Sequence, residues 1–248
     1  IERKEVTAKI RMVGKVDYDE TRISSITAWV PGRIDDLFVD YTGVEVKKGD
    51  PMVSLYSPEL LSAQEELLQA IVTEEELQQS NIPIMKETAS KTVTAAKEKL
   101  RLWGLTGKQI EEIETRGKTT DHVTIYTPIS GVVIHKNGLE GMYVETGTKI
   151  YTIADLSQVW VKLDAYESDL TWIRNGQKVE FETEAYPGEM FKGKVVFVDP
   201  FLDPKTRTAK VRVNVPNSEG KLRPETFVRA EVHAAIKRES EIIKGVTS

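Results

Sequence analysis

Two stretches of the chain alternate apolar with polar residues between glycines and prolines, a pattern that predicts short β-strands joined by turns. The first runs from Ile23 to Tyr56 and the second from Val123 to Ile153. Both contain the spacing G-x-x-V-x-x-G, at residues 43–49 and 141–147. Glycines there supply tight turns or positive φ, and the valine between them is expected to point into a shared core. The stretches are predicted to be repeats of one β unit, with chance recurrence of glycine as the alternative.

Helical periodicity fills the segment between the two repeats, residues 57–121. Each repeat is too small to bury a core alone, so the two must meet in space and the segment must leave and return. A first helix is predicted to start at Ser57-Pro58, with serine as the N-cap and proline at the first helical position. Its apolar face has three-and-four spacing and consists of Leu60, Leu61, Gln64, Leu67, Leu68 and Ile71.

A second helical run of similar length follows the interruption at residues 80–83 and ends at Gly104, which suits a helix C-cap. The pair predicts an antiparallel hairpin with arms of about 20 residues, roughly 30 Å long. A third, shorter helix is expected from the capping box at Thr106 to Gly117. The apolar faces of the arms are expected to form intramolecular core, with partner docking as the alternative.

Strand patterns return from residue 157 to 236 and are expected to form a small β-barrel, completed by an N-terminal strand within residues 10–22. The expected fold class is α+β, with several modules in an elongated chain. Residues 23–56 with 122–156 are expected to form a split β-sandwich, and residues 57–121 are expected to form the helical hairpin or three-helix bundle.

Composition narrows the range of functions. The 248 residues are 40% hydrophobic and 29% charged, with a net charge of -5, which is typical of a folded protein without the basic footprint of a nucleic-acid binder. The absence of cysteine excludes thiol catalysis and disulfides, and it suits a periplasmic location without proving it. The chain starts at Ile1 and has no apolar run near the length of a membrane span, so a targeting or anchoring segment is expected to have been removed.

Residues with catalytic or metal-binding chemistry are scattered. His122, His135 and His233 stand far apart in sequence, and solvated or structural roles are favoured for them. The five methionines are also dispersed, which favours gap-filling over soft-metal binding. The chain is therefore interpreted as a binding and assembly protein and not as an enzyme, with no covalent cofactor.

The split repeat, inserted hairpin and barrel resemble the periplasmic adaptor family, the HlyD-like membrane fusion proteins of resistance-nodulation-division efflux pumps. The stretches that carry the resemblance are Tyr18-Asp-Glu-Thr-Arg22, Trp29-Val-Pro-Gly-Arg-Ile34, Leu55-Tyr-Ser-Pro-Glu-Leu60, Pro128-Ile-Ser-Gly-Val-Val133, Asp155-Leu-Ser-Gln-Val-Trp-Val161 and the segment from Asp199 to Thr208. The first three are similar to the heavy-metal branch, especially the copper and silver efflux adaptors.

The resemblance implies that the split β-sandwich of residues 23–56 with 122–156 is lipoyl-like, and that residues 1–9 with 237–248 are a partial membrane-proximal β domain. It also implies a periplasmic protein at the inner membrane, held there by partners or by an N-terminal anchor. Its implied partners are an inner-membrane transporter, an outer-membrane channel and further copies of the adaptor in a hexameric ring. By this analogy Asn81, Ile82 and Pro83 at the hairpin tip face the channel. Transient binding of Cu(I), Ag(I) or another metal cation is implied as well.

Two features depart from the family pattern. Family barrels have Pro-Gly in the turn before the last strand, where this chain has Pro224-Glu225, so a different turn is expected because positive φ would strain a glutamate. The metal-binding methionines of the copper and silver branch lie upstream of the lipoyl-like core, where this chain offers only Met12 as a weak candidate ligand. The upstream segment was removed or the cargo differs.

Two other functions share these modules. An adaptor of an ATP-driven exporter or type I secretion system has the same parts, usually with a longer helical hairpin. A lipoyl or biotinyl carrier has the same half-motifs, but it presents a modified lysine on the hairpin between the halves. The sequence Tyr56-Ser-Pro58 at that position contains no lysine.

Overall fold

A computed structural model describes residues 7–79 and 81–235 of the chain. The strands, in chain order, are β1 (Thr7–Tyr18), β2 (Ile23–Thr27), β3 (Gly32–Leu37), β4 (Glu45–Val46), β5 (Pro51–Tyr56), β6 (His122–Tyr126), β7 (Gly131–Lys136), β8 (Tyr143–Val144), β9 (Lys149–Ala154), β10 (Gln158–Tyr166), β11 (Lys178–Thr183), β12 (Tyr186–Leu202), β13 (Thr208–Pro216) and β14 (Phe227–Ala235). The helices are α1 (Pro58–Leu77), α2 (Pro83–Leu102), α3 (Gly107–Arg116) and α4 (Glu167–Leu170). The chain divides into two compact units, one formed by residues 23–155 and the other by residues on either side.

The unit of residues 23–155 contains a β-sandwich in which the two repeats exchange strands. One sheet has the order β2-β9-β7-β4 and the other β6-β5-β3-β8. Gly32 of the first repeat lies opposite Val144 of the second, and Val46 of the first lies opposite Gly131 of the second. Each sheet therefore takes its two central strands from one repeat and its two edge strands from the other.

The turn glycines of the two repeats make equivalent contacts, each with the other repeat. The Gly43 N–H donates to the carbonyl oxygen of Val133 at 2.8 Å, and the Gly141 N–H donates to that of Ile34 at 2.7 Å. All four glycines of the two G-x-x-V-x-x-G motifs have φ between 78° and 91°. Ile34 and Val133 are fully buried. The prediction of a paired repeat with positive-φ glycines is confirmed.

The helical insertion begins and ends where the sequence predicted. The Ser57 hydroxyl accepts a hydrogen bond from the Leu60 N–H, with Pro58 as the first helical residue. Gly104 follows α2 with φ of 87°, and Thr106 forms the expected capping box with Gln109. The left-handed residue Gly117 ends α3. Local capping chemistry thus defines the insertion.

The second unit is a closed six-stranded barrel with the order β1-β10-β13-β12-β11-β14. Alternating residues of these strands fill the interior, among them Val161, Leu163, Phe181 and Val213, each of which is fully buried. The barrel expected from residues 157–236 is present, and β1 supplies the expected N-terminal strand.

The barrel extends further toward the N-terminus than expected. β1 begins at Thr7, which pairs with Ala235 of β14, because the antiparallel ladder between these strands continues past Ile10. Residues 7–9 therefore belong to the barrel and not to the expected membrane-proximal segment. The rest of that segment, residues 1–6 and 237–248, lies outside the described residues.

The turn before β14 corrects another expectation. Glu225 keeps a positive φ of 68°, so the expectation of a different turn was wrong. Two backbone hydrogen bonds impose this conformation: the Glu225 N–H donates to the Val16 carbonyl at 2.8 Å, and the Val16 N–H donates to the Thr226 carbonyl at 2.9 Å. The glutamate also forms an ion pair with Lys15 at 2.9 Å. Pairing with β1 therefore outweighs the backbone preference of glutamate.

No helix in the described part of the chain is both long enough and apolar enough to span a membrane.

Candidate functional site

The hairpin of α1 and α2 is the feature that distinguishes this unit from a plain β-sandwich. The apolar faces of the two helices pack together, and Leu60, Leu67 and Leu100 are fully buried. Val93 and Ala96 of α2 join the same core. The predicted apolar faces therefore form intramolecular core, as expected.

A shallow groove runs along the hairpin between α1 and α2. Its volume is about 740 Å³. Its walls include the small side chains Ala70 and Thr73 of α1 and Thr88, Thr92 and Ala96 of α2. These positions recur every three or four residues, so they form a continuous stripe on each helix. Small side chains in such a stripe allow another helix to approach the hairpin closely.

The tip of the hairpin exposes apolar side chains. Asn81, Ile82 and Pro83, which the sequence placed there, are exposed to solvent. The next two residues were not predicted, although Ile84 is 71% exposed and Met85 is 46% exposed. The sequence shows this feature as an uninterrupted apolar run, Ile82-Pro-Ile-Met85, at the start of the second helix. An exposed apolar tip of this kind is typical of an interaction surface.

Buried hydrogen bonds fix the base of the hairpin to the sandwich. The Gln64 side chain, which is 1% exposed, donates to the Thr120 carbonyl at 2.8 Å and accepts from the Thr120 N–H at 2.9 Å. The Ser57 N–H donates to the Asp121 carbonyl at 3.3 Å. The chain thus leaves and re-enters the sandwich at adjacent points, and the direction of the hairpin is set there.

A charged cluster lies beside this base. The His122 ring contacts Asp121 through Nδ1 and Asp35 through Nε2, both at 2.8 Å. Hydrogen bonds to Asp121 and Asp35 raise the pKa of His122 above 6.5. Hydrogen bonds from Arg33 and His122 lower the pKa of Asp35 to about 2, and the bond from Arg33 has the larger effect. Tyr56 completes the cluster, with its ring 5.8 Å from that of His122. The cluster links β3, β5 and β6. Both ring nitrogens of His122 are engaged in hydrogen bonds, so the role of the cluster is structural.

The other candidate ligands do not converge. Met12 is 4% exposed and belongs to the hydrophobic core of the barrel. His135 is exposed on β7, whereas His233 lies on β14, where the structure describes the backbone alone. Within residues 7–79 and 81–235, no group of three or more His, Asp or Glu side chains is arranged to hold a metal ion.

Comparison with known families gives two matches that follow the two units. Residues 23–154 match the family described as "CusB, barrel-sandwich hybrid domain". Residues 158–235 match the family described as "CusB-like, beta-barrel domain". Together the matches cover both units that the structure resolves into sandwich and barrel.

Individual relatives match most of this chain. The cation efflux system protein CusB of Escherichia coli is 26% identical over 212 residues, which are 84% of this chain and 48% of CusB. The cobalt-zinc-cadmium resistance protein CzcB of Cupriavidus metallidurans is 25% identical over 243 residues, 93% of this chain and 46% of CzcB. The crystal structure of ZneB from Cupriavidus metallidurans superposes with a TM-score of 0.59 and 25% identity, covering 92% of this chain and 99% of that one. The chain therefore spans about half the length of these two curated relatives.

Proposed function

Because the chain belongs to the CusB family of membrane fusion proteins, as its match over residues 23–154 establishes, we propose that it is the adaptor subunit of a tripartite efflux pump. In this role it links an inner-membrane transporter of the resistance-nodulation-division class to an outer-membrane channel. It works in the periplasm at the inner membrane, without enzymatic activity of its own.

One observation carries the proposal: a helical hairpin occupies the junction between the two halves of the sandwich. β5 ends at Tyr56 and the chain passes directly into α1, returning to the sandwich only at β6. A lipoyl or biotinyl carrier needs a tight turn with a lysine at this junction. A hairpin fixed at its base and apolar at its tip suits an assembly protein, because it extends a docking surface away from the folded core.

The proposed contacts follow from where the exposed surfaces lie in each unit. The tip residues Asn81, Ile82 and Pro83 are proposed to contact the outer-membrane channel. The small-residue groove along the hairpin is proposed to receive a helix of a neighbouring adaptor or of the channel, in a pump with six adaptor copies. The barrel is proposed to face the transporter.

The proposed cargo is a heavy-metal cation such as Cu(I) or Ag(I). CusB is named for cation efflux and CzcB for cobalt, zinc and cadmium resistance, which supports the cation class for this chain. A transient interaction of the adaptor with the metal belongs to the same proposal. Calorimetric titration of the full-length protein with Cu(I), Ag(I) and Zn(II) tests this metal interaction. Absence of binding heat with all three ions would contradict the interaction.

Site-specific photo-crosslinking in cells tests the adaptor role. A photoreactive amino acid replaces Ile84 at the tip, and the matched control replaces Leu102, which is 69% exposed at the other end of α2. We expect crosslinks to an outer-membrane channel from position 84 and none from position 102. Equal crosslinking from both positions, or crosslinks from position 84 to soluble proteins alone, would contradict the proposed orientation.

A further inference from the structure

One face of the barrel holds an arginine between two aromatic rings. The guanidinium carbon of Arg212 on β13 lies 5.1 Å from the ring centre of Trp160 on β10 and 4.8 Å from that of Phe197 on β12. The strand register brings the three side chains together. Arg212 lies opposite Phe197 on one neighbouring strand and opposite Lys162 on the other, and Trp160 is two residues from Lys162 on the same face. Attraction to two aromatic rings holds the guanidinium in this position.

Arg212 is half-buried and has no carboxylate partner within the described residues. The acidic groups nearby are already engaged: Asp17 and Glu20 bind Lys162 at 2.7 and 2.9 Å, and Asp164 binds Lys210 at 2.6 Å. Removing a guanidinium from water without supplying acceptors costs free energy, which a bound anion would recover.

Unpaired lysines extend this positive charge along the same face. Lys178 of β11 lies directly opposite Lys194 of β12, and in the part of the chain that the structure describes neither forms an ion pair. Like charges in facing positions destabilise a sheet. A cleft of about 500 Å³ lies between these strands, with both lysines and Asn214 in its walls. Asn214 follows Arg212 on the same face of β13, so the cleft and the stacked arginine are neighbours.

We propose that this face binds a carboxylate side chain of an acidic polypeptide segment, with Arg212 as its bidentate partner and Lys194 as a second cation. The facing cations Lys178 and Lys194 and the neighbouring Arg212 complement the successive carboxylates of such a segment. Phe197 and Val196, 40% and 44% exposed, supply apolar contact beside the charge. This binding site is separate from the hairpin surfaces of the proposed function.

Titration with an acidic peptide tests the proposal on the full-length protein. The probe is an acetylated pentaglutamate, and the readouts are the NMR signals of the Arg212 Nε–H and the Trp160 indole N–H. We expect saturable shifts of both signals, binding at least tenfold weaker for Arg212→Met, and a smaller loss for Arg212→Lys, which keeps the charge but not the planar fork.

The matched control is Arg229→Met on β14, which removes the same charge from an arginine already paired with Glu184 at 3.2 Å. Binding by this variant should equal that of the parent protein, and thermal melts establish that each variant is folded. Equal weakening of peptide binding by Arg229→Met and Arg212→Met would show that binding depends only on net charge, and this would overturn the proposal. Arg212-dependent binding to phosphatidylglycerol vesicles without binding to the peptide would overturn it in favour of lipid.

Discussion

A methyl group added at Gly131 should destabilise the β-sandwich, because it separates the two central strands of one sheet. A Cβ built on Gly131 would lie 2.4 Å from the Ala154 carbonyl oxygen and 2.8 Å from its carbon, whereas ordinary contacts begin near 3.4 Å. Both are backbone atoms, so β7 and β9 must separate by about 1 Å, in the middle of the sheet that joins the repeats. Overpacking of this kind costs about 3 kcal/mol, which corresponds to a melting temperature lower by about 10 °C.

The measurement is urea and thermal unfolding of Gly131→Ala followed by far-UV circular dichroism at 222 nm. This signal reports the unit of residues 23–155, because α1, α2 and α3 all lie in it. The matched control is Gly107→Ala at the start of α3, where an added Cβ meets no atom within 4 Å and alanine favours the helix. Parent-like stability of Gly131→Ala, or an equal loss in the control, would refute the steric account of the repeat.

Three further perturbations test separate parts of the structure. Burial raises the pKa of Tyr151 from 10.0 to about 12, so the contribution of Tyr151 to folding stability should stay constant below pH 10 and be lost as the pH rises toward 12. Tyr151→Phe should remove that decline in urea titrations. Ser57→Ala should cost about 1 kcal/mol of stability in urea unfolding by removing the N-cap of α1. Because hydrogen bonds to Asp121 and Asp35 raise the pKa of His122, its stabilising contribution should be complete below pH 6.5 and be lost as the pH rises through the raised pKa. NMR titration of the imidazole checks the pKa, and unfolding of His122→Gln across the same pH range should show no such loss.

Local sequence signals predicted most of the fold because the relevant interactions are themselves local. Ser57 with Pro58, the Thr106 capping box and Gly117 determine where helices begin and end through contacts within four residues. The repeated G-x-x-V-x-x-G spacing predicted the sandwich, because glycine by itself permits the positive φ that each turn requires.

Long-range pairing explains what sequence reasoning missed. Glu225 was expected to avoid positive φ, yet its hydrogen bond to Val16, more than 200 positions away in the chain, holds it there. The stacking of Arg212 between Trp160 and Phe197 depends on the register of three strands, which no local pattern specifies. At the hairpin tip, by contrast, Ile84 and Met85 stood in the same apolar run as the predicted Ile82 and could have been included.

Cellular metal content measured by inductively coupled plasma mass spectrometry tests the adaptor account most directly. Cells that lack the protein are grown in sublethal Cu(I), Ag(I), Co(II), Zn(II) or Cd(II) and complemented with the parent protein or with Ile82→Asp/Ile84→Asp, which places two charges on the apolar tip. The account predicts that the parent protein lowers the content of at least one of these metals and that the tip variant, folded and produced at the same level, does not. Unchanged metal content with the parent protein, or full activity of the tip variant, would contradict it.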